Sequence, residues 1–193
     1  EITETSLPAF KKALTEGTLD VGLASDVSTI PYGSLVQVLR EEEVFLAISM
    51  FHPYALTHPS GTPITAEEVK ANFAGDNLLL SKKGASLRMI GDQFFDACGF
   101  EPVAVCETNN ISATRSMVAQ NAGVAFISES CSVNRNHIAY YPLSPAMKRL
   151  NLVVRQKDWV LNEPEQAFMD QILNYFKQNT EHPYLAEKYS ISF

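Results

Sequence analysis

The chain has 193 residues, 46% of them hydrophobic and 19% charged, with 9 Gly, 10 Pro and 3 Cys. This composition excludes a disordered tail, a collagen-like repeat and a disulfide-stapled mini-protein, because the apolar content suffices for an ordinary core. No run approaches the roughly 18 to 20 consecutive apolar residues of a membrane span, and a net charge of −7 makes the chain by itself a poor partner for nucleic acid.

In chain order, Ser6-Leu7-Pro8 opens a helical pattern with Leu7, Phe10, Ala13 and Leu14 on one face, and Gly17 stops it. Leu19 to Ala24 reads as a strand, Leu35 to Leu39 as a shorter one, and Val44 to Ile48 as a buried run. Between the last two, Glu41-Glu42-Glu43 reads as a solvated turn rather than a carboxylate cluster, since adjacent residues of an extended segment point to different sides. Thr65-Ala66-Glu67-Glu68 has the form of a capping box, with Ile64 and Val69 as its hydrophobic staple. Asn77 to Leu80 follows as a strand. The loop Ser81 to Ser86 leads into Leu87, Ile90, Phe94, Phe95 and Cys98 at helical spacing, closed by Gly99. The same syntax repeats as strand Val103 to Cys106, loop Glu107 to Ser112, helix Ala113 to Gln120 and strand Val124 to Ile127. Ile138 to Tyr141 and Leu150 to Val154 complete the strands, and Asn162 caps a final helix through about Lys177. Alternating strands and helices predict an α/β protein with mainly parallel sheets. The tail from Asn179 to Phe193 is polar and aromatic, and is expected to be only partly ordered.

Charge is uneven. Residues 1–79 hold Lys11, Lys12, Arg40 and Lys70 against eleven acidic residues, and the rest of the chain is balanced. Cys98, Cys106 and Cys131 form an odd, scattered set that suits a reducing cytosol better than a secreted disulfide framework. No signal peptide is visible, and Glu1 in place of an initiator Met leaves room for an upstream segment.

In open α/β sheets, ligands gather beyond the carboxyl ends of the strands, where helix N-termini present unpaired N–H groups. Two loops qualify. Ser81 to Ser86 offers hydroxyls, Lys82, Lys83 and Gly84, with Arg88 one turn on; Glu107 to Ser112 offers Thr108, Asn109 and Asn110. They read either as one anion site or as the ordinary caps and turns that Ser, Thr and Asn favour. Hydrolase, nucleotide-loop and zinc motifs are absent, so no cofactor or metal is expected. His52 and His58, six apart around prolines, match no standard metal ligand set.

Several segments taken together resemble the effector-binding domain of LysR-type transcriptional regulators. They are Leu14-x-x-Gly17-x-Leu19-Asp20-Val21-Gly22-Leu23, His52-Pro53, Gly99-Phe100-x-Pro102, Thr108, Arg115-x-Met117-Val118-Ala119, Gly123 to Ile127, Leu143 and Leu150 to Arg155. The resemblance covers about 20 to 155. It implies two Rossmann-like lobes with a hinge, like type 2 periplasmic binding proteins. Lobe I would comprise 1–79 plus 144–193, without its first strand and helix, and lobe II 80–143. It also implies an effector in the interlobe cleft, carried over to Ser25, His52, Ser81, Gly84, Ser86, Arg88, Thr108, Asn109 and Ser128. The family usually has Pro where Ser128 stands, and Ser86 occupies the place where peroxide-sensing members carry a reactive cysteine.

The expectation is therefore a cytoplasmic, non-enzymatic sensing module. It would bind a small anionic effector, a carboxylate, and form a homodimer, within a tetramer in the full protein. DNA would be reached only through a winged helix-turn-helix that this chain lacks, with no membrane contact. Two rivals share the cleft. One is the solute-binding protein of a transporter. The other is an enzyme, for which His52 with Ser81 or Ser86 is the one catalytic pairing that the sequence offers.

Overall fold

The computed structural model describes residues 2–29, 34–158 and 160–178. Helix α1 (Leu7–Thr15) begins at Ser6, whose Oγ accepts from the Ala9 N–H, with Pro8 in the first turn where its missing N–H costs nothing. The buried faces of Phe10 and Leu14 pack with Leu152 and Val154 on a first sheet. That sheet is built from β1 (Val21–Asp26), the N-terminal part of β2 (Ser34–Ser49), and β8 (Lys148–Gln156) between them. The polar tail assigned to 179–193 lies outside the described residues.

The two strands expected in 35–48 are one. β2 runs without a turn through Glu41–Glu43, which pair in register with Leu150, Arg149 and Lys148 of β8, and its irregularity is confined to Val38/Arg40. The supposed solvated turn is ladder because each of its first two carboxylates meets a cation from the facing strand. Lys148 Nζ lies 2.5 Å from Glu41 Oε1 and Arg149 Nε 2.6 Å from Glu42 Oε1. Cross-strand charge pairing of this kind holds extended backbone where propensity alone would not.

At Val44 the same strand changes partners. From there to Ser49 it pairs antiparallel with β6 (Val124–Ser128) on one side and β7 (Ile138–Ser144) on the other. Beyond β6 lie β4 (Leu78–Leu80) and β5 (Ala104–Glu107), both parallel, and β3 (Ile64–Thr65) adds to β7. The sheets are thus mixed rather than mainly parallel, since the first is antiparallel throughout its described pairings.

The expected lobe boundary at residue 79/80 is corrected by this exchange, which falls at 43/44. Val44, Leu46, Ile48, Tyr54, Ile64, Val69 and Phe73 share one core with Leu78, Phe94, Phe95 and Phe126, so residues 44–79 belong with the second sheet. The return crossing lies between the end of β7 at Ser144 and the start of β8 at Lys148.

Around the second sheet stand α2 (Pro53–Thr57), α3 (Ala66–Phe73), α4 (Ser86–Cys98) and α5 (Ile111–Ala119), while α6 (Glu163–Gln178) closes the described chain. The capping box forms as its spacing predicts: the Glu68 N–H donates to Thr65 Oγ1 at 3.2 Å and the Thr65 N–H to Glu68 Oε2 at 2.8 Å. Asn162 Oδ1 likewise accepts from the Glu165 N–H ahead of α6. In α4 the predicted stripe is buried, and Gly99 at φ 70° ends the helix in the left-handed conformation that glycine adopts freely.

The tightness of α4 against the sheet gives a direct test. A Cβ at Gly91 would stand 2.9 Å from Cδ2 of Phe126, whereas one at Gly75 would meet nothing within 4 Å. Gly91→Ala is therefore expected to lower unfolding free energy by about 1–3 kcal/mol despite alanine's better helix propensity. Gly75→Ala should be neutral or slightly stabilising. Urea denaturation of the two variants separates steric from propensity effects.

Candidate functional site

The carboxyl ends of β4, β5 and β6 open onto a cavity of about 260 Å³. Its polar wall is Ser81, Ser86, Thr108, Asn109, Thr114, Ser128 and Arg149; its apolar wall includes Leu79, Leu87, Ile111 and Phe126. The loops are tied to each other before any ligand arrives. The Thr108 N–H donates to Leu80 O at 2.9 Å, the Lys82 N–H to Asn109 Oδ1 at 3.0 Å, and the Asn110 N–H to Thr108 Oγ1 at 3.1 Å.

The two helices entering the cavity differ at their caps. Asn110 Oδ1 accepts from the Ala113 N–H and satisfies α5. Ala85, the N-cap of α4, has no side chain that can do so, and Ala85, Ser86 and Leu87 all line the cavity. The first-turn N–H groups of α4 are thus left without a side-chain acceptor at the positive end of a 13-residue helix. An uncapped helix N-terminus in a cavity is a place for a ligand oxygen.

Of the nine residues expected to bind an effector, the cavity brings together Ser81, Ser86, Thr108, Asn109 and Ser128. The other four lie elsewhere. Ser25 donates its hydroxyl hydrogen to Asn151 Oδ1 at 2.7 Å in the first sheet. Gly84, at φ 85°, is pressed toward α1, where an added Cβ would stand 2.9 Å from Cγ of Pro8. Arg88 is not a free cation: Nε donates to Asp92 at 2.7 Å, and Nη1 to Glu107 at 2.6 Å and to Ser81 O at 3.2 Å. Its hydrogen bond to Glu107 chiefly raises its pKa further. Neither Lys82 nor Lys83 lines the cavity.

His52 is at the wrong end of the sheet. β2 runs antiparallel to β6, so the turn following Ser49 emerges at the amino end of β6, away from Ser128. There Nδ1 of His52 accepts from the Tyr54 N–H as the cap of α2, Nε2 lies 3.1 Å from Asp76 Oδ2, and the ring stacks on Phe73. His52 is therefore not paired with Ser81 or Ser86.

The cation that does reach the cavity was not found from sequence. Arg149, at the start of β8, donates from Nε to Glu42 and from Nη2 to Ser128 Oγ at 2.9 Å. No described residue accepts from its Nη1. Glu42 is fully buried, and its Oε1 also accepts from Asn151 Nδ2 at 3.0 Å while Oε2 accepts from the Ser130 N–H at 3.1 Å. Because Asn151 in turn accepts from Ser25, one chain of polar contacts runs Ser25, Asn151, Glu42, Arg149, Ser128 from the first sheet to the second. The sequence signal was the acidic run 41–43 together with the basic pair Lys148-Arg149, legible only to a reader who already knew that the strands face each other.

Burial acts most strongly on the Glu42 carboxyl and would raise its pKa. The Arg149 charge and the hydrogen bonds from Ser130, Arg149 and Asn151 together outweigh it, holding the group below the ordinary 4.5. Cys131 also lines the cavity, whereas the buried Cys98 thiol is pushed up to about 11 by desolvation and belongs to the core. Among the described residues no group of three or more His, Cys, Asp or Glu is placed to hold a metal ion.

Residues 1–177 match the family model for the LysR substrate binding domain. The chain belongs to that family. A curated relative, the uncharacterized HTH-type transcriptional regulator YybE of Bacillus subtilis (strain 168), is 25% identical over 167 residues, 86% of this chain and 54% of that protein. The chain thus spans about half the length of the curated relative it matches. Among solved structures it is similar to the Synechocystis PCC6803 CcmR regulatory domain in complex with 2-PG, with a TM-score of 0.71 at 17% identity, covering 91% of this chain and 82% of that one. It is also similar to the effector binding domain of QuiR in complex with shikimate, with a TM-score of 0.69 at 16% identity, covering 93% and 82%. At these identities the likeness carries the fold, and this LysR substrate-binding domain has the two-lobe α/β fold expected from the sequence.

The buried pair predicts a stability pattern. Arg149→Ala leaves Glu42 buried without its counter-charge, held only by Asn151 and the Ser130 amide, and should cost about 3–5 kcal/mol, part of which Glu42→Gln in the same chain restores. A carboxyl whose folded pKa is depressed adds stability that is fully present above its unfolded value and is lost as pH falls through the folded one. The melting temperature of the wild type should therefore exceed that of Glu42→Gln by a constant margin above about pH 5, and the margin should shrink below 4.5.

Proposed function

We propose that this domain is the effector-sensing part of a LysR-type DNA-binding transcriptional regulator, and that a small anionic effector, a carboxylate, binds in the 260 Å³ cavity. The observation carrying this reading is the convergence of the uncapped α4 N-terminus and the unpaired Arg149 Nη1 on one cavity otherwise lined by hydroxyls. Such donors favour an oxygen-bearing, negatively charged head. Leu79, Ile111 and Phe126 would hold a short apolar body. The volume lies below the roughly 300–1,000 Å³ typical of ligand pockets, which sets the effector's size at the small end. The anion preference rests on Arg149 and α4 rather than on Lys82, Lys83 and Arg88.

Support also comes from relatives. The QuiR domain was solved with shikimate, itself a carboxylate, and YybE is named a transcriptional regulator of the helix-turn-helix type. The action is population shift: an effector with different affinities for two arrangements of the lobes biases their equilibrium, and with it the packing of a homodimer or tetramer that holds separate DNA-binding domains. The domain binds rather than catalyses, and works in the cytoplasm. No helix among the described residues is long and apolar enough to cross a membrane.

Isothermal titration against benzoate and shikimate, with benzamide as the uncharged comparator, tests the site. The carboxylates should bind and benzamide should not, and Ser86→Asp, which places a carboxylate at the α4 N-terminus, should abolish binding. Binding of uncharged compounds only would overturn the anionic reading, and binding that survives Ser86→Asp would overturn the location.

A further inference from the structure

A second cavity, of about 360 Å³, lies at the opposite end of the second sheet and takes no part in the site above. Its walls come from the His52-Pro53-Tyr54 turn, Asn72 near the end of α3, the Asp76-Asn77 loop before β4, and the turn 121–124 that follows α5. Helices α3 and α5 thus finish at this cavity, where their terminal carbonyls carry partial negative charge, and the short α2 begins there with its first free N–H already capped by His52.

The charge of the lining is one-sided: it carries one carboxylate, Asp76, and no lysine or arginine. Asn72 spends its Nδ2 on Glu68 O at 2.8 Å, and Asn77 spends its Nδ2 on Ala122 O at 3.2 Å. Those carbonyl partners fix the amide orientations and leave each Oδ1, together with the second Nδ2 hydrogen, uncommitted. The Nδ1 of His52 accepts from the Tyr54 N–H at 3.1 Å, so the ring proton sits on Nε2, which donates to Asp76 Oδ2 at 3.1 Å. Asp76 Oδ1 accepts from no described residue. What remains is one carboxylate flanked by two amide oxygens and opposed by no basic side chain.

We infer that this cavity binds a small organic cation, an alkylammonium or guanidinium compound. Its N–H groups would donate to Asp76 Oδ1 and to the Oδ1 atoms of Asn72 and Asn77. A metal ion fits less well, since the described residues assemble no cluster of three or more strong ligands here. The site is independent of the effector cavity, with which it shares no lining residue.

The test uses 1,4-diaminobutane as probe and 1,4-butanediol as its uncharged isostere, followed by amide chemical shifts of the ¹⁵N-labelled chain. The diamine should give saturable shifts confined to residues 52–54, 72–77 and 121–124, with none at Ser81–Ser86, Thr108 or Ser128, and the diol should give none. Asp76→Asn keeps an acceptor for His52 Nε2 and so preserves the turn, yet should weaken the diamine by about tenfold or more. Thermal unfolding of that variant, matched to the wild type, verifies that the fold is intact; if it is not, Asn72→Leu and Asn77→Leu replace it, with the same loss expected. Absence of saturable shifts, equal response to the diol, or undiminished binding in the folded variants would overturn the inference.

Discussion

The structure depends on a carboxylate carried through its interior. A single strand can serve two sheets only if its backbone stays extended while its side chains pass from one core to another. β2 makes that passage at Glu42 and Glu43, both buried. An isolated ionised carboxylate at that depth would cost several kcal/mol. The cost is offset by Arg149, Asn151 and the Ser130 amide, which between them donate to both oxygens of Glu42. Replacing the pair with apolar residues of similar volume could be as stable, so stability alone does not account for its presence. Its position does: Arg149 is fixed at the edge of a cavity in the second sheet by a residue registered against the first.

Strand direction then decides the chemistry at each end of the second sheet. β4, β5 and β6 run the same way, and the helices that return between them run against it. The N-termini of α4 and α5 therefore gather at one end, and the C-termini of α3 and α5 at the other, where the short α2 begins. The Ala85 cap and Arg149 belong to the first end, Asp76 and the Asn72 and Asn77 carbonyl oxygens to the second. A single polarity of backbone dipoles thus gives the two ends of the sheet opposite electrostatic character.

Local grammar was legible and long-range pairing was not. The capping box at Thr65, the α4 stripe from Leu87 to Cys98 and the polar loops after β4 and β5 each rest on residues within one or two turns of each other, where spacing alone specifies the contact. Glu41–Glu43 has the local look of a turn because the residues that make it strand stand 107 positions away. His52 was assigned to the cleft because the resemblance marks the residue but not which end of the sheet its turn faces. Arg88 looked like a free cation, since nothing in a linear sequence shows that Glu107 folds back onto it. The lobe boundary failed for the same reason: residues 44–79 look like a continuation of what precedes them, and only the core they share with Phe94 and Phe126 shows otherwise.

The placement of Arg149 bears on how an occupied cavity is felt elsewhere. A ligand held only by the α4 N-terminus and the loop hydroxyls would be a guest of the second lobe, with no differential interaction to bias the lobes. A ligand that also takes Arg149 Nη1 joins a chain of contacts whose far end, Ser25 on Asn151, lies in the first sheet. Gly84 adds a second point of contact, since the loop that brings Ser81 and Ser86 to the cavity also touches Pro8 of α1 across the divide. Both points turn on small motions of groups already in van der Waals or hydrogen-bond contact, so a shift of a fraction of an ångström at the ligand must either stretch these bonds or move the sheets together. Packed interfaces resist the first and yield to the second in discrete steps.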